Sequence, residues 1–244
     1  MTMKLIFIRH ADPDYSIDSL TETGFLEAEA LAPRVEKMKG DHFYVSPLGR
    51  AKKTCEIAMK NMDEEVITLD WLKEFPAKAR RPEDPDHDRC CWDWLPSIWA
   101  HQEAFYDERT FADHPVMEKA HVREIYEDVI KNFDAFLREH GYRKDGKIFR
   151  VEKGNHDTLV FFCHFGIECV FLSYLINCSP MLLWHGFVAA PSSVTEVYTE
   201  EREKGIAAFR ITSFGDTSHL YAKDMEPSLS ARFCECYEDD TRHL

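Results

Sequence analysis

An apolar run near the start of the chain, Leu5-Ile6-Phe7-Ile8, stops abruptly at Arg9-His10. Its composition predicts a strand buried on both faces, and such strands sit inside parallel sheets with helices on either side. Arg9 and His10 then emerge at the strand's carboxyl end, where open parallel sheets place ligands. A second run, Asp157-Thr158-Leu159-Val160-Phe161-Phe162-Cys163, ends the same way at His164-Phe165-Gly166. Between them His42-Phe43-Tyr44-Val45 runs into Ser46-Pro47-Leu48-Gly49-Arg50-Ala51. A helix is expected from Pro47, in its first turn, to about residue 62, with Arg50 near its N-terminus and Glu56 or Glu27 as its surface partner if it has one. If these three strands are neighbours, two histidines and two arginines converge on one crevice.

The remaining pattern supplies the helices. Phe25, Ala28, Leu31, Ala32 and Val35 mark one face of a helix reaching about Lys39, capped by Thr21 or Thr23. Val122 to Leu137 form a long amphipathic helix stopped at Gly141, and Phe165 to Ile176 an apolar one leaving directly from His164. Short strands are expected at 65–69 and 148–151. Two late runs, 193–198 and 205–211, predict a hairpin at the edge of the sheet, and the acidic tail from Glu226 is expected to be peripheral. From Pro76 to about Glu118 the texture changes to prolines, charges and Trp92, Trp94 and Trp99 with no clean period, too long for an ordinary loop.

Composition bounds the partners. Acidic residues outnumber basic ones by 44 to 30, for a net charge of −14. Such a surface repels nucleic-acid backbones and anionic membranes, so neither is expected as a partner, and an anionic substrate needs a local basic pocket. The apolar run at the N-terminus is too short for a signal-peptide core and no apolar stretch approaches the length of a membrane span, which predicts a cytoplasmic protein. Of eight cysteines, Cys55, Cys163, Cys169 and Cys178 fall in apolar patterns and are expected to be reduced core residues. Cys90-Cys91 and Cys234-Glu235-Cys236 are expected to be exposed. The paired Cys and His spacings of a zinc site are absent, and no metal is expected.

Arg9-His10, the segment Ser46-Pro47-Leu48-Gly49-Arg50-Ala51-Lys52-Lys53-Thr54 and His164-Phe165-Gly166, in that order and spacing, resemble the histidine phosphatase superfamily, also called phosphoglycerate mutase-like. The resemblance implies a three-layer αβα sandwich with a mostly parallel central sheet, the first strand in its interior. It implies one domain over residues 1–244, with a cap-like insertion at about 76–118 above the carboxyl ends of the strands. The turn Leu20-Thr21-Glu22-Thr23-Gly24 matches the family where it borders the active site. The implied activity is phosphomonoester hydrolysis of a small phosphorylated metabolite, with no cofactor.

Each role in phosphoryl transfer has a candidate. A neutral imidazole can attack phosphorus in line while its other nitrogen is held by a backbone carbonyl, which makes His10 the nucleophile of a phosphohistidine intermediate. Arg9, Arg50 and His164 would bind the phosphoryl oxygens. Glu74, in Trp71-Leu72-Lys73-Glu74-Phe75, matches the family's proton donor, with Asp70 and Asp93 as rivals. The chain also departs from the pattern. Ala11, Asp12 and Pro13 replace the usual glycine and acid, no asparagine occurs before Asn61, and Phe165 stands where a small residue is common. The arginine-bearing segments with which mutases hold both ends of a phosphoglycerate have no counterpart, which favours a hydrolase over a mutase. The remaining alternative is a catalytically silent relative that binds phosphorylated ligands or a protein.

Overall fold

The computed structural model describes residues 2–230 and 237–238. The first half of the chain gives β1 (Lys4–Arg9), the short pair β2 (Pro13–Asp14) and β3 (Ser19–Leu20), α1 (Glu22–Met38), β4 (His42–Val45), α2 (Gly49–Ala58) and β5 (Val66–Thr68). Between 76 and 118 lie a hairpin, β6 (Lys78–Arg81) and β7 (Asp84–Cys90), and two short helices, α3 (Pro96–Trp99) and α4 (Pro115–Lys119). Then come α5 (Val122–Glu139), β8 (Tyr142–Asp145), β9 (Ile148–Val151), β10 (Thr158–Cys163), α6 (Phe165–Ile176) and α7 (Pro180–Gly186). The last are β11 (Val194–Glu203), β12 (Ile206–Asp216) and α8 (Ser218–Tyr221).

One large sheet runs in the order β5-β4-β10-β1-β11-β12-β9-β8. Its core, β5, β4, β10 and β1, is parallel, and β11 to β8 continue it antiparallel. The two faces of β1 go to different layers, as the alternation of a strand requires. Ile6 and Ile8 join Phe43, Val45, Val160 and Phe162 under α1 and α2, where Leu31, Val35, Ala51 and Cys55 close the layer. Leu5 and Phe7 join Tyr44, Leu159 and Phe161 under α5 and α6, with Phe133, Phe136 and Phe171 packed against them. The Phe7 ring stacks on Phe161 at 5.2 Å and meets Phe171 at 5.9 Å. At about 2 kcal/mol per fully buried aromatic or aliphatic side chain, this double-sided burial is what fixes β1 in the interior.

Several details differ from the sequence-based expectation. Pro47 lies upstream of α2, whose cap position is Leu48, so it ends the loop and does not open the helix. Phe25 falls at the edge of the α1 stripe and is 42% exposed. The late hairpin is internal: β11 pairs with β1, and β9 covers the outer side of β12, leaving β8 at the edge. Alternation along a strand reveals which face is buried but not which strand lies beside it. Cys91 is fully buried and Cys90 and Cys178 are half-buried; Cys234 and Cys236 lie outside the described residues. All six described cysteines are free. No helix among the described residues is long and apolar enough to cross a membrane.

The 76–118 segment packs into the core of the main body. Trp92, Trp94, Phe105, Phe111 and Met117 are buried in the same apolar cluster as α5 and α6. Trp94 meets Phe105 edge-on at 5.2 Å and donates its indole N–H to the Cys91 carbonyl, and Trp99 stacks on His185 at 4.5 Å. The three tryptophans pack against protein.

Candidate active site

Sheet register sets the level at which the strands end. Arg9 lies opposite Cys163 and Val45 opposite Phe162, so His10, His164 and Ser46 leave the sheet side by side. Their first backbone donors still belong to the ladder: His10 N–H reaches the Cys163 carbonyl at 3.0 Å and Ser46 N–H the Phe162 carbonyl at 2.9 Å. The two imidazole rings stand 5.0 Å apart, and both histidines are buried.

His10 Nδ1 lies 2.8 Å from the Ala11 carbonyl oxygen. A carbonyl only accepts, so Nδ1 carries the proton and Nε2 presents a lone pair. Burial, then the nearby Arg9 and Arg50 charges, hold the His10 pKa well below the ordinary histidine value, so the ring is neutral at pH 7. The carbonyl is itself held in place. Ala11 N–H bonds Thr54 Oγ1 at 3.0 Å and Asp12 N–H bonds Glu27 Oε2 at 2.8 Å. Thr21 caps α1 through Gly24 N–H and donates to Asp12 Oδ2 at 2.6 Å, which ties the Leu20–Gly24 turn to this loop. The Ala11 and Asp12 amides are therefore committed to Thr54 and Glu27.

His164 Nε2 lies 2.7 Å from Ser46 Oγ, which accepts the Leu48 N–H at 3.3 Å. A neutral ring accepts the Ser46 hydroxyl proton at Nε2 only in the tautomer that carries its own proton on Nδ1. Nδ1 is buried with no partner among the described residues, on a ring that stands beside that of His10. Burial first, then His10, Arg50 and Arg9, keep His164 well below its ordinary pKa.

Arg9 is buried, with Nη1 on the Ala189 carbonyl and Nε unpartnered among the described residues. Desolvation lowers its pKa, while Tyr15, Glu74 and Glu168 oppose the shift by favouring the cation. Arg50, second residue of α2, places Nη1 2.6 Å from Asp18 Oδ1. Glu56 and Glu27, the acids that a plain surface ion pair would have used, are engaged elsewhere: Glu56 with Lys53 and Glu27 with Asp12.

Glu74 arrives from the segment after β5 and meets the N-terminus of α6. Its Oε1 accepts from Phe75 N–H at 2.7 Å and Ile167 N–H at 2.9 Å, and Oε2 from Gly166 N–H at 3.3 Å. A Cβ at position 166 would sit 2.6 Å from Glu74 Oε1 and 2.5 Å from the Trp92 ring, so glycine is what lets the carboxyl approach. Burial raises the Glu74 pKa against these three N–H groups and Arg9. The rivals have other neighbours. Asp70 lines a separate cleft of about 500 Å³ with Trp71, Lys73, Glu124 and Asp128, and Asp93 pairs with Arg81 at 3.5 Å. Arg9, His10, Arg50, Glu74 and His164 are thus the five expected residues that the fold brings together.

A family model of the histidine phosphatase superfamily (branch 1) matches residues 5–212, a span that contains all five. The chain belongs to the histidine phosphatase superfamily. Among solved structures, the chain is similar to a mutant phosphoserine phosphatase from Entamoeba histolytica in complex with phosphoserine. The two are 19% identical with a TM-score of 0.57, over 89% of this chain and 99% of that one. It is also similar to the mycobacterial glucosyl-3-phosphoglycerate phosphatase with inorganic phosphate, at 16% identity and a TM-score of 0.53, over 89% and 99% of the two chains. YhfR of Bacillus stearothermophilus matches at 18% identity and 0.54, over 89% and 98%. No curated protein matches the chain. At these identities the likeness is one of fold.

Three participants escaped the sequence reading: Ser46 as the partner of His164, Asp18 as the partner of Arg50, and Glu168. Glu168 had a visible signal, as the one acid in the apolar run Phe165 to Ile176. It is buried, with Oε1 unpartnered among the described residues, and burial pushes its carboxyl up to about 8 against the Thr195 hydroxyl and Arg9. Below pH 4.5 the group is neutral folded and unfolded alike. Above it the unfolded chain ionises while the folded one stays protonated, so stability falls as pH rises towards 8. Glu168→Gln removes this loss. Urea unfolding is expected to give equal stabilities near pH 4.5 and an advantage of about 4 kcal/mol for the variant at pH 8. Parallel profiles would show Glu168 ionised in the fold.

Proposed function

We propose that this chain is a phosphomonoester hydrolase that works through a phosphohistidine on His10, and that its substrate is a small phosphorylated metabolite. The observation that carries the reading is a neutral His10 with Nδ1 anchored on Ala11 and Nε2 without a partner among the described residues, flanked by Arg9, Arg50 and His164, whose own Nδ1 is likewise unpartnered there.

In the first step Nε2 attacks phosphorus and the bond to the ester oxygen breaks. Arg9, Arg50 and His164 take up the charge on the three equatorial oxygens, and protonated Glu74 gives its proton to the leaving alkoxide. In the second step the Glu74 carboxylate takes a proton from water, which attacks phosphorus and releases phosphate from Nε2. Burial that raises the Glu74 pKa supports the acid role, and three backbone N–H groups support the carboxylate that follows. The 76–118 insertion acts as the cap of a single domain, with Trp92 backing Glu74 and Gly166. The fold neighbours named for phosphoserine and glucosyl-3-phosphoglycerate phosphatases favour a small metabolite.

Purified protein offered a panel of phosphorylated metabolites, nucleotides and phosphopeptides is expected to release inorganic phosphate, fastest from a metabolite. Isomerised product without free phosphate would identify a mutase. Absence of turnover with retained ligand binding would identify a binding protein.

A further inference from the structure

Asp18 lies on the loop between β2 and β3 with a left-handed backbone, φ 47°, a region that a residue with a side chain enters only at a cost. This conformation brings its carboxylate onto α2. Oδ2 accepts the Gly49 N–H at 2.6 Å and Oδ1 accepts from Arg50 Nη1 at 2.6 Å. The approach is so close that a side chain at position 49 would sit 2.1 Å from the Asp18 carbonyl oxygen. The Tyr15 ring covers the same guanidinium at 5.3 Å. Arg50 keeps its Nε buried and without a partner among the described residues.

We propose that Asp18 is a positioning residue that stays on Arg50 through the reaction and holds the guanidinium ready for the phosphoryl group. This rests on the reading of Arg50 as a phosphoryl contact. Two other roles are open to a carboxylate here, and the geometry argues against both. As a plug that leaves when the anion arrives, Asp18 would have to release the Gly49 N–H and Arg50 together, from a backbone wedged against Gly49. As a simple helix cap it would need only the Gly49 bond. A guanidinium held in one rotamer loses less freedom when it binds an anion, and its planar donors are aligned in advance.

Charge and positioning act with opposite sign, which makes the test decisive. Removing a negative charge beside an anion site tightens anion binding by electrostatics alone, whereas losing the clamp weakens it. The measurements are kcat and KM on p-nitrophenyl phosphate and the inhibition constant of inorganic phosphate, for wild type, Asp18→Ala, Asp18→Asn, Arg50→Ala and the double variant. Asp18→Ala is expected to raise both KM and the phosphate inhibition constant about tenfold, the size of one charge-assisted contact at a partly exposed site. Asp18→Asn, which keeps one acceptor, should recover part of this. Adding Asp18→Ala to Arg50→Ala should change the phosphate constant no further. A lower inhibition constant in Asp18→Ala, or a full additional loss in the double variant, would overturn the proposal. An Arg50→Ala enzyme that binds phosphate as wild type does would instead remove the reading beneath it, and the clamp with it.

Discussion

His10→Ala is expected to lower kcat on every phosphomonoester by about five powers of ten, the scale of losing a covalent nucleophile. The size follows from what the site contains. Without an imidazole Nε2 the phosphoryl group remains bound among Arg9, Arg50 and His164, and the remaining path is direct attack by water, for which nothing is aligned. Substrate binding should survive, because none of the three anchors is touched and the β1 ladder bond runs through the His10 backbone. KM should therefore change little while kcat collapses. A variant that kept a hundredth of wild-type kcat would require a water nucleophile, with His10 as a mere electrostatic contact.

Glu74→Gln is expected to slow alkyl phosphates about a thousandfold and a good aryl leaving group by less than about tenfold, because only the alkoxide needs the proton. The pH profile carries the same information. Burial raises the Glu74 pKa, so the acid form is present towards neutral pH and is lost as pH rises through that value. The basic limb of the alkyl phosphate profile should flatten in the variant. Asp93→Asn, whose carboxylate is tied to Arg81, should show neither change. Equal slowing of alkyl and aryl esters would mean that Glu74 only orders the N-terminus of α6 through Gly166 and Ile167, and that the proton comes from elsewhere.

The parts of the fold legible in the sequence were those written in consecutive residues. Leu5 to His10 and Thr158 to His164 announce buried strands and what stands at their ends, and Phe165 to Ile176 is a helix because apolarity on every side demands a covered position. Arg50 was legible through its neighbours in the Ser46 to Thr54 segment. What stayed hidden depends on distant partners. The place of the late hairpin is decided by β1 on one side and β9 on the other, and neither pairing is encoded in the hairpin's own alternation. Asp18 reads as a loop acid until the fold carries it to Arg50, 32 positions away. Glu74 was legible only by resemblance, since the amides that hold it belong to Gly166 and Ile167, more than 90 residues later. The unpatterned texture of 76–118 concealed the β6–β7 hairpin, because β7 from Asp84 to Cys90 is largely exposed and carries no apolar alternation.

The measurement that bears most directly on the central claim is a rapid acid-free quench of enzyme with labelled substrate, followed by mapping of the bound phosphate. A phosphohistidine intermediate predicts label stable to alkali and lost in acid, approaching one per chain if dephosphorylation is rate-limiting, confined to the peptide that carries His10, and absent from His10→Ala. Label on a residue other than His10, or label that persists in His10→Ala, would contradict it.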